Sequence, residues 1–497
     1  MRPHPVILLL FAACCNGAET KDDLLSFTNG DQFHGHFAGL AEDSSLLWKR
    51  DDVGDEVKFK SSELRRVVLR GGEPLVSLQG FSHIGMMNGD RIPGQIRELD
   101  DKHVLVETEY AGMIELPRAQ VGLLAPNPLG GRVLYHGPFD PERWSMFNVE
   151  HPDGLPDPHK GGEKGDTIPR WKHAGFAWYW QSNGIGTAIA KKSGLPDRAI
   201  IRFDVAWKNR LSLAIGFHSD FKRPEKIGED NHVGAVLPGG AKTVSLPGIF
   251  GNSYVLQLYS NYVMLYRTSF DDAGKERMDR LQTSNSSLRL GDTGKASVEI
   301  RCNRISGEIA LYVGGEFVSQ WSELDGVLGD DNSYAGKGDG FGFIAQSEDS
   351  SLRISEIMVS EWNGMPDSAR SMQVDDADIV LLANGTDRFS GKVTGLHDGL
   401  LKLDGRFGNF EFPISEIAEV RFAKSRLAEA QKDHSGDVRI RFHPIGRISG
   451  KPMGANTSTL LRMHNTSAGD MDIKLDSAVM LEFHENESFL DDWDNEF

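Results

Sequence analysis

Apolar and polar side chains alternate in short runs along most of the chain, and each run stops at Gly, Asn or Asp. A period of two predicts strands that bury one face, whereas the 3.6-residue stripe of an amphipathic helix is scarce. One stretch, near Ile414 to Gln431, fits a helix, with a strand and the charged connector KSRLAEAQKD as the other reading. The alternation also repeats itself. Residues 29–35 read NGDQFHG, 88–94 read NGDRIPG and 384–391 read NGTDRFSG. Around each lies one order of events: a strand, an Asn-Gly turn whose residues tolerate positive φ, a second strand bent at a Gly, a polar loop, a third strand and a closing alternation. A fourth, weaker copy, VRIRFHPIGRISGKPM, has lost the Asn and keeps Gly446 and Gly450. Copies of about 45 to 60 residues predict separate supersecondary units that pack small cores or share one.

Between the pairs the strands are longer and richer in aromatics: IIRFDVAW, LSLAIGFHS, YVLQLYS, YVMLYR, ASVEIRC, GEIALYVGGEFVSQW and SLRISEIMVSEW. This series predicts an antiparallel β-sandwich. The expected organisation is therefore all-β: a leader at 1–18, small barrels at 24–70 and 75–126, the sandwich at 130–363, barrels at 378–424 and 436–484, and an acidic tail at 485–497 with Phe489, Trp493 and Phe497 interleaved.

Strand parity sorts the sandwich residues. Ile201, Phe203, Val205 and Trp207 share a face that suits a core, which leaves Arg202 and Asp204 outward; Trp178 and Trp180 oppose Tyr179 and Gln181; the outward set of 211–219 ends at His218; Gln257 and Tyr259 oppose Leu256 and Leu258. Tyr179, Gln181, Arg202, Asp204, His218, Gln257 and Tyr259 are thus the candidates for one polar ligand face, with a plain solvated sheet as the alternative. Cys302 shares a strand face with Val298 and Ile300 and is expected in the core. His34 and His36 lie at i and i+2, a chelating geometry without a third ligand nearby.

Charge narrows the partners. With 54 basic and 72 acidic residues the formal charge is −18, which repels phosphate backbones and argues against nucleic acid. The opening MRPHPVILLLFAACCNGA places Arg2 before a short apolar run and then small residues, the grammar of an export signal. Cleavage near Ala18 releases a soluble protein; alternatively Phe11-Ala12-Ala13-Cys14 resembles a bacterial lipobox, in which Cys14 becomes the lipidated first residue and the only membrane anchor. An extracytoplasmic location is the expectation. With Cys14 and Cys15 in the leader, Cys302 alone remains, so neither a disulfide framework nor a multi-thiolate zinc site is expected.

The repeated strand–NGD–bent-strand pattern resembles the Sm-like small β-barrels and repeats of exported planctomycete-type bacterial proteins. The pair GEIALYVGGEFVSQW and GDGFGFIAQSEDSSLRISEIMVSEW resembles the concanavalin A-like lectin/glucanase and laminin-G-like jelly rolls. That resemblance implies a carbohydrate- or protein-binding sheet face and, at a rim, calcium held by Asp271, Asp272, Asp330 and Asp331. Glucanases of the family carry three alternate acidic residues on one strand. Here Glu323-Leu324-Asp325 runs into Gly326-Val327, and Glu356 to Glu361 has the wrong phase. Neither G-x-S-x-G nor a phosphate loop is written. The reading is a non-enzymatic extracytoplasmic binding or scaffold protein for a glycan or envelope protein. The rivals are a glycoside-active enzyme on the sandwich and an envelope assembly module acting through the barrels.

Overall fold

The computed structural model describes residues 21–148, 170–181, 187–224, 245–281, 288–323, 334–346, 351–364, 375–429 and 436–483. The leader with Cys14, the tail from 485, and Asp330 and Asp331 lie outside the described residues. The chain is all-β, and among the described residues its one α-helix is the short Leu246–Phe250. The helix expected near 414–431 is instead a 3-10 turn, Ile414–Glu416, a strand, Ile417–Arg421, and another 3-10 turn, Lys424–Arg426. Ile417, Ala418 and Val420 are buried in that strand, which pairs with residues of Asp378–Leu382 and Val121–Ala125. Tertiary pairing of β-branched residues overrides the charged helical run that follows them.

The repeated heptad is a turn that closes on itself. Asn29 accepts the Asp31 backbone N–H at 3.0 Å and donates to its carboxylate at 2.8 Å. Asn88 does the same to Asp90 at 3.0 and 2.9 Å. Asn384 reaches Asp387 across the one inserted residue, again at 3.0 and 2.8 Å. The following glycines have φ of 90°, 86° and 77°, the left-handed region open to Gly. In each unit the first strand then pairs with both the second and the last, so the last strand returns to lie beside the first. We number these units 1 (23–68), 2 (83–125), 3 (378–421) and 4 (438–482).

All four units join one continuous 21-stranded sheet. Unit 3 meets unit 2 where Leu123 and Leu124 pair with Arg421 and Val420. Unit 2 meets unit 4 where Arg91 pairs with Arg447. Unit 4 meets unit 1 where Met480, Leu481 and Glu482 pair with Val68, Val67 and Arg66. The spatial order is therefore 3, 2, 4, 1, with each N-terminal unit paired to C-terminal ones and a shared apolar core running through them. Units 1 and 3 also share a lock. Asp23 and Asp378 open their first strands and are buried; Asp23 accepts the N–H groups of Phe37 and Arg70, and Asp378 those of Val393 and Ala423.

The middle of the chain forms two antiparallel sheets. One has seven strands, in the order Ser145–Asn148, Thr187–Lys191, Gly340–Ala345, Ser212–Ser219, Ser253–Tyr259, Val263–Phe270, Glu276–Leu281. The other has eight, centred on Ser351–Glu361, Arg198–Lys208 and Gly294–Asn303. Trp180, Phe203, Trp207, Phe217, Tyr254, Phe341 and Phe343 fill the space between them, with Cys302 among them as the alternation predicts. The eight-stranded sheet meets the barrels where Arg66 of unit 1 pairs with Glu356, which also contacts His136.

Candidate functional site

The strongest candidate lies on the outer face of the seven-stranded sheet. Leu213, Ile215, Phe217, Leu256, Leu258, Phe341 and Phe343 point into the core, so their strand neighbours point away from it. Cross-strand register then aligns Ser212 with Tyr259, Ala214 with Gln257 and Gly216 with Val255. Gln257 in turn stands opposite Met264, and Val255 opposite Tyr266. On the other flank Ala214 faces Ile344, and Gly216 faces Gly342. In the middle of this face Ala188, Ala214, Val255 and Ile344 are fully buried, packed with Leu246, Ile249 and Phe250. At one end the helix Leu246–Phe250 covers it: a Cβ on Gly216 would lie 2.3 Å from the Phe250 ring, so only glycine lets the helix approach.

The other end is aromatic and polar. Tyr259 stacks on Tyr262 with ring centroids 4.5 Å apart and planes 27° from parallel, and Tyr266 stands on the same side. Burial, with Tyr262 and Tyr266 adjacent, raises the Tyr259 phenol, so it stays a neutral donor. Gln346 follows the strand Gly340–Ala345, and its N–H donates to the Ser212 carbonyl at 3.0 Å, which sets it beside Ser212 and Tyr259. Gln346 is 4% exposed, and among the described residues neither Oε1 nor Nε2 has a hydrogen-bond partner. Leaving such a group unpaired costs about 1–3 kcal/mol. A ligand bearing hydroxyls would satisfy it.

The seven sequence candidates divide between two sheets. Gln257 and Tyr259 belong to the face just described. Tyr179, Gln181, Arg202 and Asp204 lie on the eight-stranded sheet, so one common face is ruled out. His218 is not outward at all. A register shift between Phe217 and Ser219 and a φ of 48° turn it inward. There its ring nitrogens contact the Tyr334 hydroxyl at 2.8 Å and the Pro196 carbonyl at 3.0 Å, and burial lowers its pKa to about 4.

On the eight-stranded sheet Tyr179 stands opposite Arg353 and the exposed Gln181 opposite Ser351. Arg202 pairs with Glu299, which Arg301 also holds, and the Arg301 guanidinium lies 4.2 Å from the Tyr312 ring centre. Burial, with Glu356 nearby, raises Asp204 to about 6. A cavity of about 370 Å³ separates this sheet from units 2 and 3, lined by Arg202, Met358 and Glu361 on one side and His83, Arg91 and Arg421 on the other. Its charges are paired on each side of the junction: Arg202 with Glu299 and Arg132 with Glu361 on the sheet side, Arg421 with Glu419 on unit 3. That describes a domain contact.

Calcium finds little at the sequence-predicted rim. Asp271 Oδ1 already accepts the N–H groups of Ala273 and Lys275 at 3.0 and 2.8 Å, closing its own turn, while Asp272 is exposed. Among the described residues no group of three or more His, Cys, Asp or Glu side chains gathers, at His34 and His36 or elsewhere.

Parity could not reveal Tyr262 or Ser212 as neighbours of Tyr259, or Gln346 as the neighbour of Ser212, because register and turns bring them together. One signal was present. Ser-Leu-Ala-Ile-Gly-Phe in 212–217 alternates small with large, the mark of a strand whose outer side forms a floor.

No protein-family model matches the chain, and no curated protein matches it in sequence. Solved structures with which it shares a likeness include the carbohydrate-binding module CBM66 from Bacillus subtilis, at 11% identity over 44% of this chain and 96% of that one, with a TM-score of 0.26. LamAcat from Zobellia galactanivorans aligns at 7% identity over 48% and 98%, with a TM-score of 0.25. The exoplasmic/lumenal domain of VIP36 in its Ca2+/Man3GlcNAc-bound form aligns at 11% identity over 48% and 92%, also with a TM-score of 0.25.

Proposed function

We propose that the chain is an extracytoplasmic glycan-binding protein whose site is the outer face of the seven-stranded sheet at Tyr259, Tyr262, Tyr266, Gln257 and Gln346. The observation that carries this reading is the Gln346 carboxamide, buried and without a hydrogen-bond partner among the described residues, on one side of Ser212, with the stacked Tyr259–Tyr262 pair on the other. A sugar ring offers what that end of the face needs: an apolar face for the aromatic rings and hydroxyls for the amides. The net charge of −18 favours a neutral sugar over a polyanionic one. The central strands of this face carry Ala188, Ala190, Gly342, Ile344, Ala214 and Gly216, buried and in part under the helix, and no carboxylate pair among them serves glycosidase chemistry, so binding is favoured over cleavage.

The test is a glycan array with the chain from Glu19 onward, in calcium and in chelator, followed by titration of each hit. Tyr259→Ala and Gln346→Ala are each expected to weaken binding about tenfold, equal to about 1.4 kcal/mol per lost contact. Arg202→Ala, on the other sheet, is expected to leave it unchanged, and chelator likewise, since Asp271 is taken by its own turn. Wild-type affinity in the Gln346 variant, or no glycan bound in either buffer, would sink this reading.

A further inference from the structure

The barrel array contains its own docking precedent. Unit 2 carries Tyr110 at the tip of the hairpin between His103–Thr108 and Gly112–Pro117. That tip enters unit 4: Tyr110 is 3% exposed, its ring stacks on Phe442 with centroids 4.3 Å apart, and its carbonyl accepts the Lys474 N–H at 3.0 Å. Asp90 of the unit 2 turn is buried in the same contact, where it accepts from Ser449 and Asn465. Units 2 and 4 are the inner members of the row.

The outer members carry the counterparts of these two surfaces, with no other unit paired to them among the described residues. In unit 3 the equivalent hairpin, Leu400–Gly405 and Gly408–Pro413, ends in Arg406 and Phe407. Phe407 is 90% exposed, the most of any large apolar side chain among the described residues. Its turn residue Asp387, the counterpart of Asp90, is exposed as well. At the far end of the row, unit 1 offers the counterpart of the Phe442 socket. Phe27 ends its first strand as Phe442 ends that of unit 4, and it lies 5.6 Å from Phe33 and 5.0 Å from Phe59, ring centre to ring centre. Beside that cluster the unit 1 tip exposes Asp51, Asp52 and Asp55 together with Val53; Asp52 holds Arg50, whose guanidinium carbon lies 5.9 Å from the Phe33 ring centre.

We propose that unit 3 of one copy docks on unit 1 of the next, Phe407 entering the Phe27–Phe33–Phe59 cluster as Tyr110 enters unit 4 within the chain. Charge selects this pairing. The arginine at the plug tip meets Asp51 and Asp55 at the socket tip, beside the Arg50–Asp52 pair, whereas a twofold contact of unit 3 with itself would set Arg406 against Arg406. Because plug and socket lie at opposite ends of the row, the contact is heterologous and the assembly open-ended. It continues the order 3, 2, 4, 1 from copy to copy and leaves the sandwich free to bind. This inference stands apart from the glycan reading, since neither surface belongs to the sandwich.

Sedimentation of the full chain from Glu19, from micromolar to hundreds of micromolar and at low and high salt, tests it. The wild type is expected to grow past two chains with concentration and to shrink with salt. Phe407→Asp, and separately Asp51→Lys with Asp52→Lys, should each stay a single chain while keeping the wild-type circular dichroism. Mixed together, the two variants retain one intact plug and one intact socket and should form a dimer that goes no further. A wild type that stays a single chain throughout overturns the proposal, as does growth unchanged by Phe407→Asp. Dimers that depend on Phe407 but survive the lysine changes at Asp51 and Asp52 also overturn it, in favour of the twofold contact.

Discussion

Asp378→Ala is expected to destabilise the barrel array by about 4 kcal/mol, because it strips the partner from several buried donors at once. Asp378 is fully buried; its carboxylate accepts the Val393 and Ala423 N–H groups and an Arg426 guanidinium N–H, each at 2.8 Å. Each orphaned main-chain donor costs about 1–3 kcal/mol, and the unpaired guanidinium adds to that. Asp378→Asn keeps an acceptor for one or two of the three and should lose roughly half as much. Urea denaturation followed by circular dichroism gives the comparison. Equal losses for Ala and Asn would mean the charge, and not the hydrogen bonds, holds the unit closed. Asp23→Ala should behave in parallel in unit 1, where the carboxylate holds Phe37 and Arg70 N–H groups at 2.8 and 2.6 Å.

That lock shows how far the sequence could be read. Asn-Gly turns, bent glycines and period-two runs made the four units visible, since a turn such as Asn29–Asp31 is local and its hydrogen bonds reach only two residues. The equivalence of Asp23 and Asp378 was not visible. Each begins a strand and appears as an ordinary polar residue before an apolar run; only the return of the chain at Arg70 or Ala423 supplies its partners. Gly446 is a similar case. It survives in the weakest copy because a Cβ there would lie 2.6 Å from the Pro93 ring of unit 2, a contact between units about 350 residues apart in the chain.

The candidate site was legible in half. Parity identifies the outward residues of a strand, and it did so for Gln257 and Tyr259. It cannot assign a strand to a sheet, and in a sandwich consecutive strands change sheets, so Arg202 and Tyr259 were grouped although they face opposite ways. His218 failed for a local reason. Its parity is outward, but the irregularity after Phe217 rotates it onto Tyr334 and Pro196.

The junction of barrels and sandwich carries the second large effect. Glu356 sits in the strand Ser351–Glu361 with a φ of 50°, next to the register shift opposite Arg202 and Asp204. It pairs with Arg66, which is itself buried and lies with its guanidinium carbon 4.5 Å from the Phe176 ring centre, and it contacts His136 Nε2 at 3.0 Å. Arg66→Ala leaves that carboxylate without its cation and is expected to cost about 3–5 kcal/mol. It should also split one unfolding transition into two, since this contact ties unit 1 to the sandwich. Replacing both partners, Arg66→Met with Glu356→Leu, should recover most of the loss. Acid supplies an independent check. Burial alone would raise the Glu356 carboxyl, but the Arg66 charge and the His136 hydrogen bond hold it well below its ordinary 4.5. A depressed carboxyl pKa stabilises fully above the unfolded value, and the contribution fades as pH falls through the folded one. The stability advantage of wild type over Glu356→Gln should therefore be constant from pH 7 to about 4.5 and shrink below it. A difference between the two proteins that stays flat into strong acid would mean that Glu356 holds the junction by shape and hydrogen bonding, with its charge contributing nothing.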